Sequence, residues 1–217
     1  MNPLLTIVEA RVLGALVEKE VTTPDYYPLS LNALMNACNQ KSNREPPMDL
    51  DEDEIRQALH GLEEKRLGGR ARSSDGRVTK YEHWLQEAFN FTRGEIAAIC
   101  VLLLRGPQTL GEIRGRTDRL FHFDELSDVQ STLQKLMDRD PPFVKVLPRQ
   151  PGTKEVRYAH LLSGDVATFE VAASPGSATG NAAKDERITI LEENLAALQS
   201  EVAEMKQQME KLMRVLG

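Results

Sequence analysis

The sequence predicts an α+β chain in which a unit of three helices and a β-hairpin occurs twice, followed by a separate C-terminal helix. Three observations support this. The Thr-x-x-Glu pattern that is typical of helix starts occurs at Thr6–Glu9 and again at Thr92–Glu95. A leucine-paired helix and a basic, turn-rich segment lead twice to the string Tyr-x-His-x-Leu, at Tyr81–Leu85 and Tyr158–Leu162. Apolar residues from Ile188 to Leu216 are spaced alternately three and four residues apart.

The first copy begins with an amphipathic helix after Thr6. A second helix is predicted around Leu31–Met35, with Ser30 as its N-cap. The polar segment Asn39–Pro47, which we call the insert, is predicted to be a loop that makes this copy about a dozen residues longer than the other. A third helix over Asp51–Arg66 then leads to a hairpin that turns at Ser74–Gly76.

The second copy repeats this order. Its first helix should end at Gly106, and its third helix is predicted near Ser127–Asp140. The strands Phe143–Leu147 and Glu155–Ala159 flank its turn. Three helices followed by a hairpin is the element order of a winged helix, a form of helix-turn-helix domain. We therefore predict tandem winged-helix domains, the first over residues 1–88 and the second over residues 89–165.

The C-terminal region is predicted to contain a flexible linker over residues 166–185 and a coiled-coil helix over residues 186–217, because the linker is rich in Gly, Ala and Ser. The heptad pattern predicts a parallel homodimer. The alternative is a helix that folds back on its own domains, which Met213 and Val215 favour by widening the apolar face. The predicted dimerisation residues are Ile188, Leu191, Leu195, Leu198, Val202, Met205, Met209 and Leu212.

Composition narrows the functional classes. No apolar run is long enough to span a bilayer, and the N-terminus has no secretory signal pattern, so we expect a cytoplasmic protein without a membrane partner. Cys38 and Cys100 are isolated, and the four histidines show no metal-binding spacing. There is also no phosphate-binding glycine loop or nucleophile motif. We therefore expect no cofactor, no metal and no enzyme activity.

Basic residues in the hairpins and the insert predict contacts with nucleic acid. Each hairpin has a net charge of +3, although the whole chain has a net charge of −6. Such wings commonly contact phosphates, and the amides of the insert could meet base edges. The alternative for the insert is a loop that only caps the second helix. The candidate nucleic-acid-binding residues are Arg70, Arg72, Arg77, Lys80, Lys41, Asn43, Arg44, Lys145, Arg149, Lys154 and Arg157.

The third helix of the first copy points to a different function. Its N-terminus carries four carboxylates, Asp51 to Glu54, at the end that a helix-turn-helix usually directs at bases. These charges suit the helix dipole but would repel phosphates. Two hypotheses follow. The chain is a DNA-binding protein, a transcriptional regulator that contacts phosphates through its wings, or it is an adaptor that binds a protein partner through this acidic helix.

The string VEKEVTTPDYYPLSLNALMNACNQKSNREP, from Val17 to Pro46, resembles the YceH-like family of bacterial proteins of unknown function. The resemblance extends roughly from Asn2 to Asp165. It implies a bacterial cytoplasmic protein with two winged-helix domains, and it implies no established activity. The adaptor hypothesis draws on a second likeness, since tandem winged helices similar to segregation-and-condensation type B subunits hold protein partners.

Overall fold

The computed structural model describes residues 4–71, 78–149 and 155–164, all within one compact unit, Met1–Val166. These residues form seven α-helices, one 3-10 helix and two small antiparallel sheets. The predicted α+β class is therefore confirmed. The predicted linker over 166–185, the heptad residues over 186–217 and the hairpin turn at Ser74–Gly76 lie outside the described residues.

The first half contains three α-helices followed by a β-hairpin. The elements are α1 (Ile7–Thr22), a 3-10 helix (Pro24–Tyr26), β1 (Leu29–Ser30), α2 (Leu31–Cys38), α3 (Glu52–Glu64), β2 (Gly68–Arg70) and β3 (Lys80–His83). The strands form an antiparallel sheet in the order β1-β3-β2, in which Tyr81 lies opposite both Leu29 and Arg70. The insert carries no helix or strand, as predicted.

In the second half, three helices again precede two strands. After the short helix α4 (Leu85–Phe89) come α5 (Arg93–Arg105), α6 (Leu110–Thr117), α7 (Leu126–Met137), β4 (Val144–Val146) and β5 (Tyr158–His160). Gln108 forms an isolated bridge with Tyr158, just as Leu29 pairs with Tyr81. Each of these bridges lies one residue before a helix N-cap, at Thr109 and at Ser30. The repeat seen in the sequence therefore corresponds to a repeated arrangement of elements.

Local side-chain chemistry determines where the helices begin. The backbone N–H of Glu9 donates to Thr6 Oγ1, and the N–H of Thr6 donates to Glu9 Oε2. Thr92 and Glu95 make the same pair of bonds, which confirms both predicted capping boxes. At its other end α5 stops at Gly106, whose φ of 66° is unfavourable for residues with a Cβ.

The two halves share one hydrophobic core. Helices α1 and α5 cross closely at Gly14, where an added Cβ would lie 2.9 Å from Leu104 Cγ and 3.2 Å from Leu103 Cβ. The Cys100 thiol also lies 3.5 Å from the carbonyl oxygen of Gly14. The predicted domain boundary at residue 88 falls within α4. Buried residues before and after this boundary pack against each other where α1 crosses α5.

The paired Tyr-x-His strings anchor the hairpins, as predicted. Tyr81 and Tyr158 are both buried. His83 Nδ1 accepts a hydrogen bond from the N–H of Leu85, and its Nε2 lies 2.7 Å from Glu20 Oε2, so the ring joins β3 to α1. His160 takes the matching position on β5, where its Nδ1 is buried. His83 therefore has a structural role, whereas His160 Nδ1 has no hydrogen-bond partner among the described residues.

Candidate nucleic-acid interface

Two of the predicted wing residues lie together at the end of the first hairpin that leads into its turn. Arg70 is the last residue of β2 and Lys80 is the first of β3, and both side chains are exposed. The N–H of Ala71 donates to the carbonyl of Lys80 across the hairpin. Two further predicted residues of this wing, Arg72 and Arg77, lie outside the described residues.

The basic residues of the second hairpin differ in their positions and contacts. Lys145 lies on β4 opposite Ala159, and Arg149 is exposed beyond that strand. Arg157, just before β5, donates from Nη1 to the carbonyl of Pro107 at 2.8 Å and to Glu112 Oε2 at 2.9 Å. This arginine is therefore fixed against the start of α6. The predicted contact Lys154 lies outside the described residues.

Arg44 of the insert is a structural residue. Its guanidinium has no exposed surface, and it donates to both carboxylate oxygens of Glu18 at 2.6 and 3.1 Å and to the carbonyl of Ala37. Arg11 is also buried and donates to the carbonyls of Cys38 and Pro46. Because both guanidinium groups are committed to the protein, we do not include Arg44 among the nucleic-acid contacts proposed below.

The insert is also docked on α5 of the second half. The N–H of Glu45 donates to the carbonyl of Leu104 at 2.8 Å, and Arg105 donates a hydrogen bond to Asn43 Oδ1. Asn43 has a φ of 63°, in the left-handed region that asparagine tolerates better than most residues. The insert therefore has a defined position between the two halves, beyond capping α2.

Lys41 and Asn43 face a cleft between the insert, the end of α1, α5 and α6. The cleft has a volume of about 650 Å³. Its lining contains five cations and one carboxylate, Glu18, so we call it the basic cleft. The cations are Lys19, Lys41, Arg105, Arg116 and Arg119.

Electrostatics in the basic cleft favour an anion. Among the described residues that line it, Glu18 is the one carboxylate, and it is already bound by Arg44. The pKa of the Arg105 guanidinium is lowered, first because the group is partly buried and then because Arg116 and Arg44 repel its charge. The described lining thus carries more positive than negative charge, although Lys19 lies 3.8 Å from Glu18 and Arg116 lies 3.5 Å from Glu112.

Glu112 connects the cleft to the second hairpin. It lies 3.5 Å from Arg116 Nη2, which lines the cleft, and 2.9 Å from Arg157 Nη1. Burial raises the pKa of this carboxyl group, but the hydrogen bond at Thr109 and the charges of Arg157 and Arg116 outweigh burial and lower it. Glu112 therefore stays charged and holds two arginines from different elements next to each other.

Four of the five cleft cations were not among the residues predicted from sequence: Lys19, Arg105, Arg116 and Arg119. The segment Leu110–Leu120 carries Arg114, Arg116 and Arg119 within six residues, a signal that could have indicated a basic helix face. Nothing in the local pattern indicated that this face would meet the insert. That meeting depends on the packing of α1 against α5.

The acidic N-terminus of α3 is explained largely by local contacts. Asp51 and Glu54 form a capping box, since each side chain accepts the backbone N–H of the other residue. Glu52 binds Arg56 one turn later. Three of the four carboxylates therefore have partners within the helix start.

The described part of the chain offers neither a metal centre nor a membrane-spanning helix. It contains no group of three or more His, Cys, Asp or Glu side chains arranged to hold a metal ion. None of its helices is both long enough and apolar enough to cross a membrane.

A family model described as "Protein of unknown function, DUF480" matches residues 5–153. The chain belongs to the DUF480 family. This match confirms the resemblance seen in the sequence. It also includes every residue of the basic cleft.

Relatives of this DUF480 chain occur in several bacteria. The chain is 61% identical to a UPF0502 protein of Koribacter versatilis over 75% of each chain. It is 53% identical to a UPF0502 protein of Solibacter usitatus over 99% of this chain and 98% of that one. The identity with a UPF0502 protein of Vibrio atlanticus is 46%, over 98% of this chain and all of the other. The latter two matches extend into the C-terminal heptad region.

Proposed function

We propose that this DUF480 protein binds duplex DNA and acts as a transcriptional regulator. In this proposal each half is a winged helix, formed by α1–β3 and by α5–β5. The observation that carries the proposal is the basic cleft, where five cations from both halves meet a single, already paired carboxylate. Binding of phosphates would neutralise this excess of positive charge and release counterions.

The proposed contacts differ from those usual for a helix-turn-helix protein. Lys41 and Arg119 are exposed beside the cleft, and Glu112 holds Arg157 next to Arg116. Together with the exposed Arg70 and Lys80 of the first hairpin, these residues would contact phosphates. We leave α3 out of the interface because its exposed carboxylates would be repelled.

The C-terminal heptads complete the proposal. A coiled coil through Ile188 to Leu212 would join two copies in the cytoplasm and present two basic surfaces to one DNA duplex. Two weak sites joined in this way bind more tightly than either alone, because the second contact becomes intramolecular.

The adaptor hypothesis has one supporting observation, the exposed carboxylates at the start of α3. Local contacts already account for three of them, so they do not require a protein partner. Some cations of the basic cleft also have local partners, since Lys19 lies near Glu18 and Arg116 near Glu112. The described lining still carries five cations against one carboxylate, and this excess makes DNA binding the better proposal.

Fluorescence anisotropy with a labelled duplex of mixed sequence tests DNA binding. We expect binding at about 50 mM salt and a loss of at least about tenfold in affinity at 200 mM salt. The double variant Lys41→Gln/Arg119→Gln should bind about tenfold more weakly at low salt, because two phosphate contacts are lost. Both side chains are exposed, so the fold should be unaffected.

The matched control is Arg93→Gln/Lys135→Gln, which removes the same charge from exposed positions that do not line the basic cleft. It should keep most of the affinity. An absence of binding at low salt, or an equal loss in both double variants, would contradict the proposed interface. The adaptor hypothesis would instead be supported by a protein partner that binds at a fixed stoichiometry and is released when the charges of α3 are reversed.

A further inference from the structure

We propose that the basic cleft holds a nucleotide unit, with its phosphates on the cations and its sugar and base against the apolar part of the lining. The unit is either a free nucleoside phosphate or one nucleotide of a single strand. Only in the second case does the inference rest on the proposed DNA-binding function.

The size of the cleft supports an organic ligand. Its volume of about 650 Å³ falls within the range of roughly 300–1,000 Å³ that is typical of small-molecule sites. A phosphate ion alone would leave most of this space unfilled. The ligand should therefore combine an anionic group with a larger body.

The charge of the lining specifies the anionic group. With five cations against Glu18, a ligand that carries several negative charges fits better than a monoanion. Glu18 offsets these cations only in part, because both of its oxygens accept hydrogen bonds from Arg44 and, of the cleft cations, Lys19 lies 3.8 Å from it. Nucleoside di- and triphosphates carry such charge, as do consecutive phosphates of a strand.

The remaining lining suits a sugar and a base. Leu120, which is partly exposed, supplies apolar surface in the same cleft, and the buried Val101 and Leu104 form the apolar floor beneath it. Gln40 Oε1 and Asn43 Oδ1 already accept hydrogen bonds from arginines, so both side chains offer their amide N–H groups to acceptors on a ligand. Acceptor atoms on base edges match these donors.

A paired duplex does not present this combination. Its bases are stacked and paired, and side chains reach only their edges in the grooves. An unstacked base can instead leave the strand and contact apolar side chains. The cleft is therefore suited to a free nucleotide or a single strand, whereas a duplex would reach only its exposed cations, Lys41 and Arg119, through phosphates.

Displacement of the fluorescent probe mant-ATP from the full chain tests the inference. We expect mant-ATP to bind and ATP to displace it at a concentration at least about tenfold lower than inorganic tripolyphosphate, because only ATP fills the apolar part of the cleft. Displacement by a short oligothymidylate at lower concentration than ATP would identify a strand as the ligand. Failure of the oligonucleotide to displace would identify a free nucleotide.

Equal displacement by tripolyphosphate and ATP would overturn the inference, since the cleft would then be a simple anion site. An absence of binding by both mant-ATP and labelled oligothymidylate would also overturn it. The double variant Lys41→Gln/Arg119→Gln should bind mant-ATP about fivefold or more weakly than the wild type. The variant Arg93→Gln should bind it with unchanged affinity. Duplex binding is measured on the same samples, so that nucleotide binding without duplex binding rejects only the proposed function.

Discussion

Arg44 Nη2 lies 2.6 Å from Glu18 Oε2, although the two residues are separated by 26 positions in the chain. The guanidinium has no exposed surface, and the carboxylate side chain is 16% exposed. This ion pair fixes the insert to α1. It thereby positions Lys41 and Asn43 at the basic cleft.

Replacement of Arg44 by Ala should destabilise the protein strongly. It leaves Glu18 partly buried without its partner and the carbonyl of Ala37 without its donors, so we expect a loss of about 3–5 kcal/mol in the free energy of unfolding. Urea denaturation followed by circular dichroism measures this value. Lys41→Ala, an exposed change in the same segment, should cost less than about 0.5 kcal/mol. A loss below about 1 kcal/mol for Arg44→Ala would contradict the anchoring role.

Gly14→Val should disrupt the crossing of α1 and α5. An added Cβ would already lie 2.9 Å from Leu104, and the branches of valine would add to this overlap. We expect a loss of about 2–4 kcal/mol in the free energy of unfolding. Gly111→Ala is the control, because an added Cβ in α6 meets nothing within 4 Å and should stabilise the helix by up to about 1 kcal/mol. Equal stability of Gly14→Val and the wild type would show that the crossing is not tight.

The stability of the protein should fall as pH decreases from about 6.5 to about 4. Burial lowers the pKa of His160 to about 4 from its usual 6.5. In this range the unfolded chain binds a proton that the folded chain excludes, so acid favours unfolding. Well above pH 6.5 the histidine is neutral in both states, and its effect on the pH dependence disappears.

His160→Phe tests this directly, since a phenyl ring does not titrate. Urea denaturation at pH 7 and pH 4.5 should show a loss for the wild type that exceeds the loss for the variant by about 1–3 kcal/mol. His60→Gln, on the exposed face of α3, should retain the pH dependence of the wild type. Parallel pH profiles for His160→Phe and the wild type would reject the role of His160.

The heptad pattern predicts a dimer that is sensitive to charge in its apolar positions. Leu195→Lys/Leu198→Lys should produce a monomer, because buried lysines would face each other or apolar side chains across the helix pair. Sedimentation equilibrium of the full chain measures the association state. A wild-type chain that is monomeric at all concentrations would favour the alternative helix that folds back on its own domains.

The helix starts were predictable because their determinants are close in sequence. A hydroxyl and a carboxylate three residues apart satisfy the free N–H groups at Thr6, and the same chemistry operates at Thr92. The burial of Tyr81 and Tyr158 followed from their matching places in two amphipathic hairpins. Such features need no knowledge of distant contacts.

The role of Arg44 was not predictable in this way. In sequence it is one more cation among polar residues, and only its contact with Glu18 removes it from the surface. Sequence also did not reveal that Arg105 would meet Asn43, which lies 62 positions earlier. The local sequence around a cation does not show whether its side chain is exposed or forms a buried ion pair.

The sequence by itself determined the α+β class, the repeated order of helices and strands, and the membership of the family. These depend on short-range periodicity and capping, which act within a few residues. Only the tertiary structure decided that Lys19, Lys41, Arg105 and Arg116 line one cleft. The reason is that the close packing of α1 against α5 at Gly14 joins both halves, and this contact brings distant charges together.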